Sequence, residues 1–175
     1  MPHFAQQYSS VAKRFQRDTD WYVATDDGAI RTFQIHANSE RVVELFYRLS
    51  SFLEPVVDMV IDDRRHQRVW EGSLRFLPDV REALGRLRWP LAAFGGVEMS
   101  LYTANDQLTL TSPLTLVIYS RGDQWPVRLA AEGIVSKKQA PPPVWQPSAV
   151  PFSDAAELDA ALILTAERLA LESRP

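Results

Sequence analysis

The sequence predicts an α+β fold in which helices cover one face of an antiparallel sheet. Short runs of alternating apolar and polar residues, separated by turn dipeptides, predict strands with one buried face. Two segments with apolar residues at helical spacing interrupt these runs, and a third lies near the end of the chain. A length of 175 residues fits a single domain with a substantial core.

The N-terminal part of the chain predicts a short helix followed by a hairpin. Apolar residues at helical spacing indicate a helix over 4–16. The runs on either side of Asp26-Asp27-Gly28 predict two strands joined by a three-residue loop, with glycine in the left-handed position. This register would place Trp21 opposite Phe33.

The middle of the chain predicts a helix, a second hairpin and a further helix. A capping residue and an apolar stripe predict a helix over about 39–53. Residues 56–71 predict a second hairpin with a polar tip. Residues 77–89 then predict a helix with proline in its first turn, which Pro90 closes.

Residues 97–131 predict a three-stranded meander, because side-chain parity stays in phase across two turns. Two-residue turns would place Leu101 opposite Leu110 and Leu116 opposite Leu129. The central strand of this meander is continuous and pairs with both of its neighbours. All four leucines should then face the helices.

Three segments divide the predicted single domain. Residues 1–138 form the α+β body, and residues 139–152 form a proline-rich strap in an extended conformation. Residues 153–175 form a C-terminal helix packed on the same domain. Its apolar arc is wider than a half-buried helix needs, because Ile163 and Leu164 extend the buried stripe.

The composition excludes several classes of function. The chain has no cysteine, which excludes disulfides, thiolate catalysis and cysteine-ligated metals. Residues 1–153 carry 17 Lys/Arg and 17 Asp/Glu, and this balance argues against nucleic acid as a partner. The chain also has no signal-peptide pattern and no stretch of roughly 20 apolar residues. We therefore expect a soluble, cytoplasmic protein that does not contact membranes.

No residue pattern predicts catalysis, a metal or a cofactor. The three histidines, His3, His36 and His66, do not have metal-binding spacing. The chain also lacks a Gly-x-Ser-x-Gly elbow and a glycine-rich phosphate loop before a helix. We therefore predict no catalytic residue, no metal ligand and no cofactor, and we lean against an enzyme.

The strongest charge signal lies between Arg64 and Arg88, a segment that contains seven arginines and only three acidic residues. At the tip of the second hairpin, Arg64, Arg65 and Arg68 could bind an anion such as a phosphate or RNA. A hairpin tip is polar in any case, and its opposite charges neutralise one another, so a solvated loop is the alternative.

Residues 35–46 resemble the strand-to-helix entry of helix-grip (START-like) ligand-binding proteins, which also end in a long helix across a sheet. The extra helix predicted at 78–89 departs from that pattern. Neither the cavity nor the ligands of that family are therefore carried over to this chain.

The leading functional hypothesis is a non-catalytic binding or adaptor protein that acts through protein–protein contact. Trp145 in the strap, together with Ile163 and Leu164, are the predicted partner-binding residues. A homodimer through the last helix is the simplest form of such contact.

Two alternatives remain. One is a small-molecule-binding protein or metal-free enzyme with a pocket between sheet and helices, where Asp58, His36, Glu98 and Tyr102 would be the first residues to test. The weaker one is anion or RNA binding through the region from Arg64 to Arg88.

Overall fold

A computed structural model describes residues 20–140 and 155–174 of the chain. Within these residues it has nine strands, four α-helices and one short 3-10 helix. The predicted α+β class with a mostly antiparallel sheet is confirmed. The helix predicted over 4–16 and most of the proline-rich strap lie outside the described residues.

All nine strands join one sheet, in the order β8-β1-β2-β7-β6-β5-β3-β4-β9. Neighbouring strands are antiparallel, apart from the parallel pair of β1 and β8. Their bounds are β1 (Trp21–Asp27), β2 (Ile30–His36), β3 (Val56–Asp63), β4 (Arg68–Phe76), β5 (Val97–Tyr102), β6 (Asp106–Leu110), β7 (Leu116–Ser120), β8 (Val135–Lys137) and β9 (Glu172–Arg174).

The helices are α1 (Ser39–Leu49), α2 (Leu77–Phe94), α3 (Trp125–Ala131) and α4 (Ala156–Arg168). α2 packs against both α1 and α4, and we call these three helices the helical layer. α1 contacts β6 and β7, whereas α2 contacts β4, so the layer packs against the sheet. In the described part of the chain, no helix is both long enough and apolar enough to cross a membrane.

Apolar side chains fill the space between the sheet and the helical layer. Alternate residues of β3, namely Val57, Met59 and Ile61, are buried, as period-2 patterning predicts. Phe46 and Leu49 of α1 are buried in the same core. Each such side chain stabilises the fold by roughly 1.5–3 kcal/mol relative to exposure.

The second helix runs past the proline that was expected to close it. Pro90 lies inside α2, which continues to Phe94. Proline removes one backbone donor from the helix, but the residues that follow it are buried apolar ones that pack into the core. The helix ends at Gly95, whose amide donates to the Leu91 carbonyl at 2.9 Å and whose φ is positive.

The predicted register between Leu101 and Leu110 is wrong by two residues. Leu101 pairs with Leu108, and Leu110 pairs with Met99. The connecting turn is longer than two residues, and Thr103 closes it by accepting a hydrogen bond from the Asp106 amide at 3.0 Å. An even-numbered shift keeps every side chain on its predicted face, so all of these apolar residues remain buried.

The predicted continuous central strand is also wrong. Residues 106–120 form two strands, and Leu110 at the end of β6 pairs with Leu116 at the start of β7. The turn between them is closed by the Thr111 amide and the Thr115 carbonyl at 2.9 Å, with Leu114 at positive φ. β7 then pairs with β2 instead of with a third meander strand.

The third strand of the meander does not exist, because residues 125–131 form α3. Leu116 therefore has no strand partner at Leu129. Trp125 and Leu129, one helical turn apart, are buried, whereas Val127 between them is 74% exposed. Pro126 lies in the first turn of α3, where its missing N–H costs no hydrogen bond.

The register between β1 and β2 also differs from the prediction. The connection is a two-residue turn between Asp27 and Ile30, so Trp21 lies opposite His36 instead of Phe33. The two rings stack with their centroids 4.2 Å apart.

Candidate functional site

The arginines near the tip of the β3–β4 loop bind carboxylates of the chain itself. Asp63, the last residue of β3, is fully buried. Arg65 donates from Nε to Asp63 Oδ1 at 2.8 Å and from Nη2 to Oδ2 at 3.0 Å. Arg68 donates from Nη2 to Asp63 Oδ2 at 2.9 Å. One carboxylate thus holds two guanidinium groups through charge-assisted hydrogen bonds, which are stronger than neutral ones.

Asp159 of α4 completes this arrangement from the other end of the chain. Its Oδ1 accepts from Arg65 Nη2 at 2.7 Å, and it lies 3.3 Å from Arg68 Nη2 and 3.4 Å from His66 Nε2. We call Asp63, Arg65, His66, Arg68 and Asp159 the Asp63 cluster. The cluster ties the helical layer to the β3–β4 loop.

The Asp63 cluster has no surplus of positive charge for an anionic ligand. Its two guanidinium groups face two carboxylates, and the Arg65 side chain is only 3% exposed. Arg64 points elsewhere and pairs with Asp62 and Glu98, each at 3.3 Å. Anion binding by Arg64, Arg65 and Arg68 stays a prediction, and these contacts do not support it.

The guanidinium groups also control the ionisation of Asp63. Burial raises the pKa of this carboxyl, but the hydrogen bonds and charges of Arg65 and Arg68 lower it by more, so the pKa lies below its ordinary value. Two donors, Arg65 Nη1 and Arg68 Nε, are buried without a hydrogen-bond partner. Burying these two donors without partners carries a desolvation cost, which the ion pairs around Asp63 have to offset.

The same cluster contains a set of atoms that resembles a metal site. Ligand atoms of Asp63, His66 and Asp159 lie within 4.8 Å of one another. The carboxylate oxygens, however, already accept hydrogen bonds from Arg65 and Arg68. A divalent cation would have to displace these two fixed positive charges. The arrangement therefore fits an ion-pair network better than a metal centre.

The four residues named for a metal-free pocket do not converge. Asp58 and Tyr102 are neighbours in the sheet register, but Asp58 Oδ1 accepts the Leu74 amide at 2.8 Å. Glu98 pairs with Arg64. His36 lies on β2, which β7 and β6 separate from β5. These side chains therefore do not form one catalytic constellation.

A shallow depression of about 210 Å³ lies beside α3. Trp125 forms part of its wall and donates from Nε1 to Asp106 Oδ1 at 2.7 Å. Arg121 and Arg128 line it as well, and the Arg128 guanidinium lies 4.8 Å from the centroid of the Trp125 ring system. Sequence reasoning missed this depression because it assigned residues 124–131 to a strand.

The helical layer exposes large apolar side chains on its outer surface. Ile163 and Leu164, both predicted as partner-binding residues, are 43% and 48% exposed. Trp89 of α2 is 67% exposed. Trp89 was not among the predicted partner-binding residues, although it lies in the helix predicted over 77–89, and helical spacing places it on the same exposed face as Glu82 and Arg86. Trp145, the third predicted partner-binding residue, lies outside the described residues.

Comparisons with protein-family models, with curated proteins and with solved structures found no match to this chain.

Proposed function

We propose that this chain is a non-catalytic binding protein that acts through protein–protein contact at the outer surface of its helical layer. The observation that carries the proposal is the exposure of Trp89 on α2 together with Ile163 and Leu164 on the neighbouring α4. Tryptophan is enriched among the residues that dominate binding energy at protein interfaces. Large exposed apolar side chains on neighbouring helices can contribute to one contact surface for a partner.

The fold itself does not need these exposed side chains. α4 already buries one complete stripe against the core, consisting of Leu158, Leu162, Thr165 and Ala166, and Leu169 just after the helix is buried as well. Ile163 and Leu164 lie outside that stripe, and nearly half of each residue remains exposed. Apolar surface that stays exposed adds an aggregation risk, and a binding partner that covers it would remove that risk.

The polar groups of the described structure favour binding over catalysis. The ionised side chains of the Asp63 cluster neutralise one another. His36, Asp58 and Glu98 are separated and have other contacts. A small ligand is a second candidate only at the depression beside Trp125, where Arg121 and Arg128 would favour an anionic aromatic compound.

Photo-crosslinking in cells tests the proposal. A photoreactive phenylalanine analogue at position 89 should give a discrete covalent adduct with a protein. The same analogue at Val127 should give none, although Val127 is 74% exposed on α3. Exposure alone would label both positions equally, so equal labelling, or no adduct from position 89, contradicts the proposed function. The mass of the adduct identifies the partner as a second copy or a different protein.

A further inference from the structure

We propose that the partner at this surface is a second copy of the chain, which packs its α4 antiparallel against α4 of the first. This inference rests on the proposed function and adds the identity of the partner. It follows from the order of residues along the outer face of α4 and from the charges that flank that face.

The outer face of α4 carries a row of residues that is complementary to itself. Ala156, Ala160, Ile163 and Glu167 follow one another at helical spacing, and all four are exposed. An antiparallel pair centred between Ala160 and Ile163 places each isoleucine against Ala160 of the other copy. Small residues allow the two helix backbones to approach closely, so each large side chain fills a matching gap.

The charges beside this row favour the antiparallel arrangement. Glu157 and Arg168 flank the row on the side of Leu164 and lie eleven residues apart, or about 16 Å along the helix. A two-fold axis across the helix pair brings Glu157 of one copy next to Arg168 of the other. A parallel pair would instead place these flanking residues on opposite sides of the helix contact, where Glu157 and Arg168 could not pair between the copies.

Arg168 remains available for this contact. Its Nη1 lies 3.3 Å from Glu82 Oε1 on α2, but both side chains are about half exposed or more. Glu82 is also held by Arg86 at 2.6 Å, so it does not depend on Arg168 for its counter-charge. A guanidinium group has five donors and can bind a second carboxylate at the same time.

The size of the contact sets the expected affinity. α4 has 13 residues and is about 20 Å long, so one helix pair alone gives a small interface. Trp89 is exposed on the adjacent α2 and can add further apolar area. We therefore expect a reversible dimer with a dissociation constant in the micromolar range.

Sedimentation equilibrium of the full chain tests this inference. The wild type should be largely dimeric at about 50 µM. Ile163→Glu should weaken the dimer by more than about tenfold, because the charge enters the interface twice. Ile163 is exposed, so circular dichroism should show an intact fold. A monomeric wild type, or a dimer that Ile163→Glu does not weaken, would overturn the inference.

Charge reversal provides an independent test of the antiparallel geometry. Glu157→Arg and Arg168→Glu should each weaken the dimer several-fold, because each places like charges across the two-fold axis. The double variant restores opposite charges and should recover most of the affinity. If the double variant loses as much dimer affinity as the two single variants lose together, this pairing is contradicted.

These results can be separated from those for the proposed function. If the chain is monomeric while position 89 crosslinks to a different protein, the inference that the partner is a second copy is wrong and the proposed function stands. If position 89 gives no adduct, the proposed function is wrong. A dimer that survives both Ile163→Glu and the charge reversals would show that self-association uses another surface.

Discussion

Asp63→Ala is expected to lower the free energy of unfolding by about 3–5 kcal/mol, because it removes the carboxylate that holds two buried or half-buried guanidinium groups. Arg65 is almost fully buried and would keep its charge without its main partner. The loss should also loosen α4, which joins the cluster through Asp159. Urea unfolding at neutral pH measures the effect.

The neighbouring Asp62 supplies the control. Asp62 pairs with Arg64 in a partly exposed ion pair, so Asp62→Ala should cost less than about 1 kcal/mol. The two carboxylates differ by one position in the strand and therefore point to opposite faces of the sheet. Equal losses for the two variants would contradict a structural role specific to the Asp63 cluster.

The cost of losing Asp63 should depend on pH in a defined direction. Its pKa in the folded chain lies below the ordinary value of 3.8. The ionised carboxylate therefore stabilises the fold fully above that ordinary value, and this contribution is lost as the pH falls through the folded-state pKa. Asp63→Asn should thus cost more at pH 7 than at pH 3. The same cost at both pH values would show that the charge is not what stabilises the fold.

Trp125→Ala is expected to cost about 3–5 kcal/mol, which is the usual range for removing a large buried aromatic side chain. Trp125 is almost completely buried at the start of α3, and its Nε1–H bonds to Asp106 on β6. The substitution removes the packed ring and leaves the Asp106 carboxylate without this donor. Thermal and urea unfolding measure the loss.

Two further variants separate the contribution of the packed Trp125 ring from that of its indole hydrogen bond. Val127→Ala on the same helix should change stability by no more than about 0.5 kcal/mol, because Val127 is largely exposed. Trp125→Phe keeps most of the apolar volume but removes the indole donor. Its loss in free energy of unfolding should therefore lie between those of Val127→Ala and Trp125→Ala. A Val127→Ala loss as large as that of Trp125→Ala would contradict the helical assignment of 125–131.

Side-chain periodicity was sufficient to predict the fold class and the faces of many strands. Val57, Met59 and Ile61 alternate with polar residues, and burial of one face of a sheet produces that pattern. Register could not be obtained in the same way, because a shift by two residues preserves every face. The pairing of Leu101 with Leu108 depends on the length of a turn that Thr103 closes, which is a local hydrogen-bond effect.

α3 shows where periodicity becomes ambiguous. Its seven residues include apolar side chains at 125, 127, 129 and 131, which fit a strand. Trp125 and Leu129 are also one helical turn apart, which fits a helix equally well. Pro126 favoured the helix, since proline is common in a first helical turn and disrupts a strand ladder. The sequence therefore contains a local signal for the helix at Pro126.

The Asp63 cluster could be predicted only in part. We expected a polar hairpin tip there, but Asp63 has the same parity as Val57, Met59 and Ile61, and a carboxylate on that buried face needs a cationic partner. The contribution of Asp159, 96 positions away, depends on how α4 packs and has no local sequence signal. Trp89 did have a local signal, because helical spacing places it on the same face of α2 as Glu82 and Arg86, away from the buried stripe.

Disulfide trapping tests the central claim, pairing through the outer face of α4, most directly. The chain has no cysteine, so a single Ala160→Cys substitution introduces the only thiol. In the antiparallel pair, the two copies of position 160 lie close to the two-fold axis and within reach of a disulfide after small adjustments. Under mild oxidation at micromolar concentration, this variant should convert rapidly to a covalent dimer, and Val127→Cys, at a position that is also exposed, should remain monomeric. Equal rates for the two variants, or no covalent dimer from Ala160→Cys, would contradict the account.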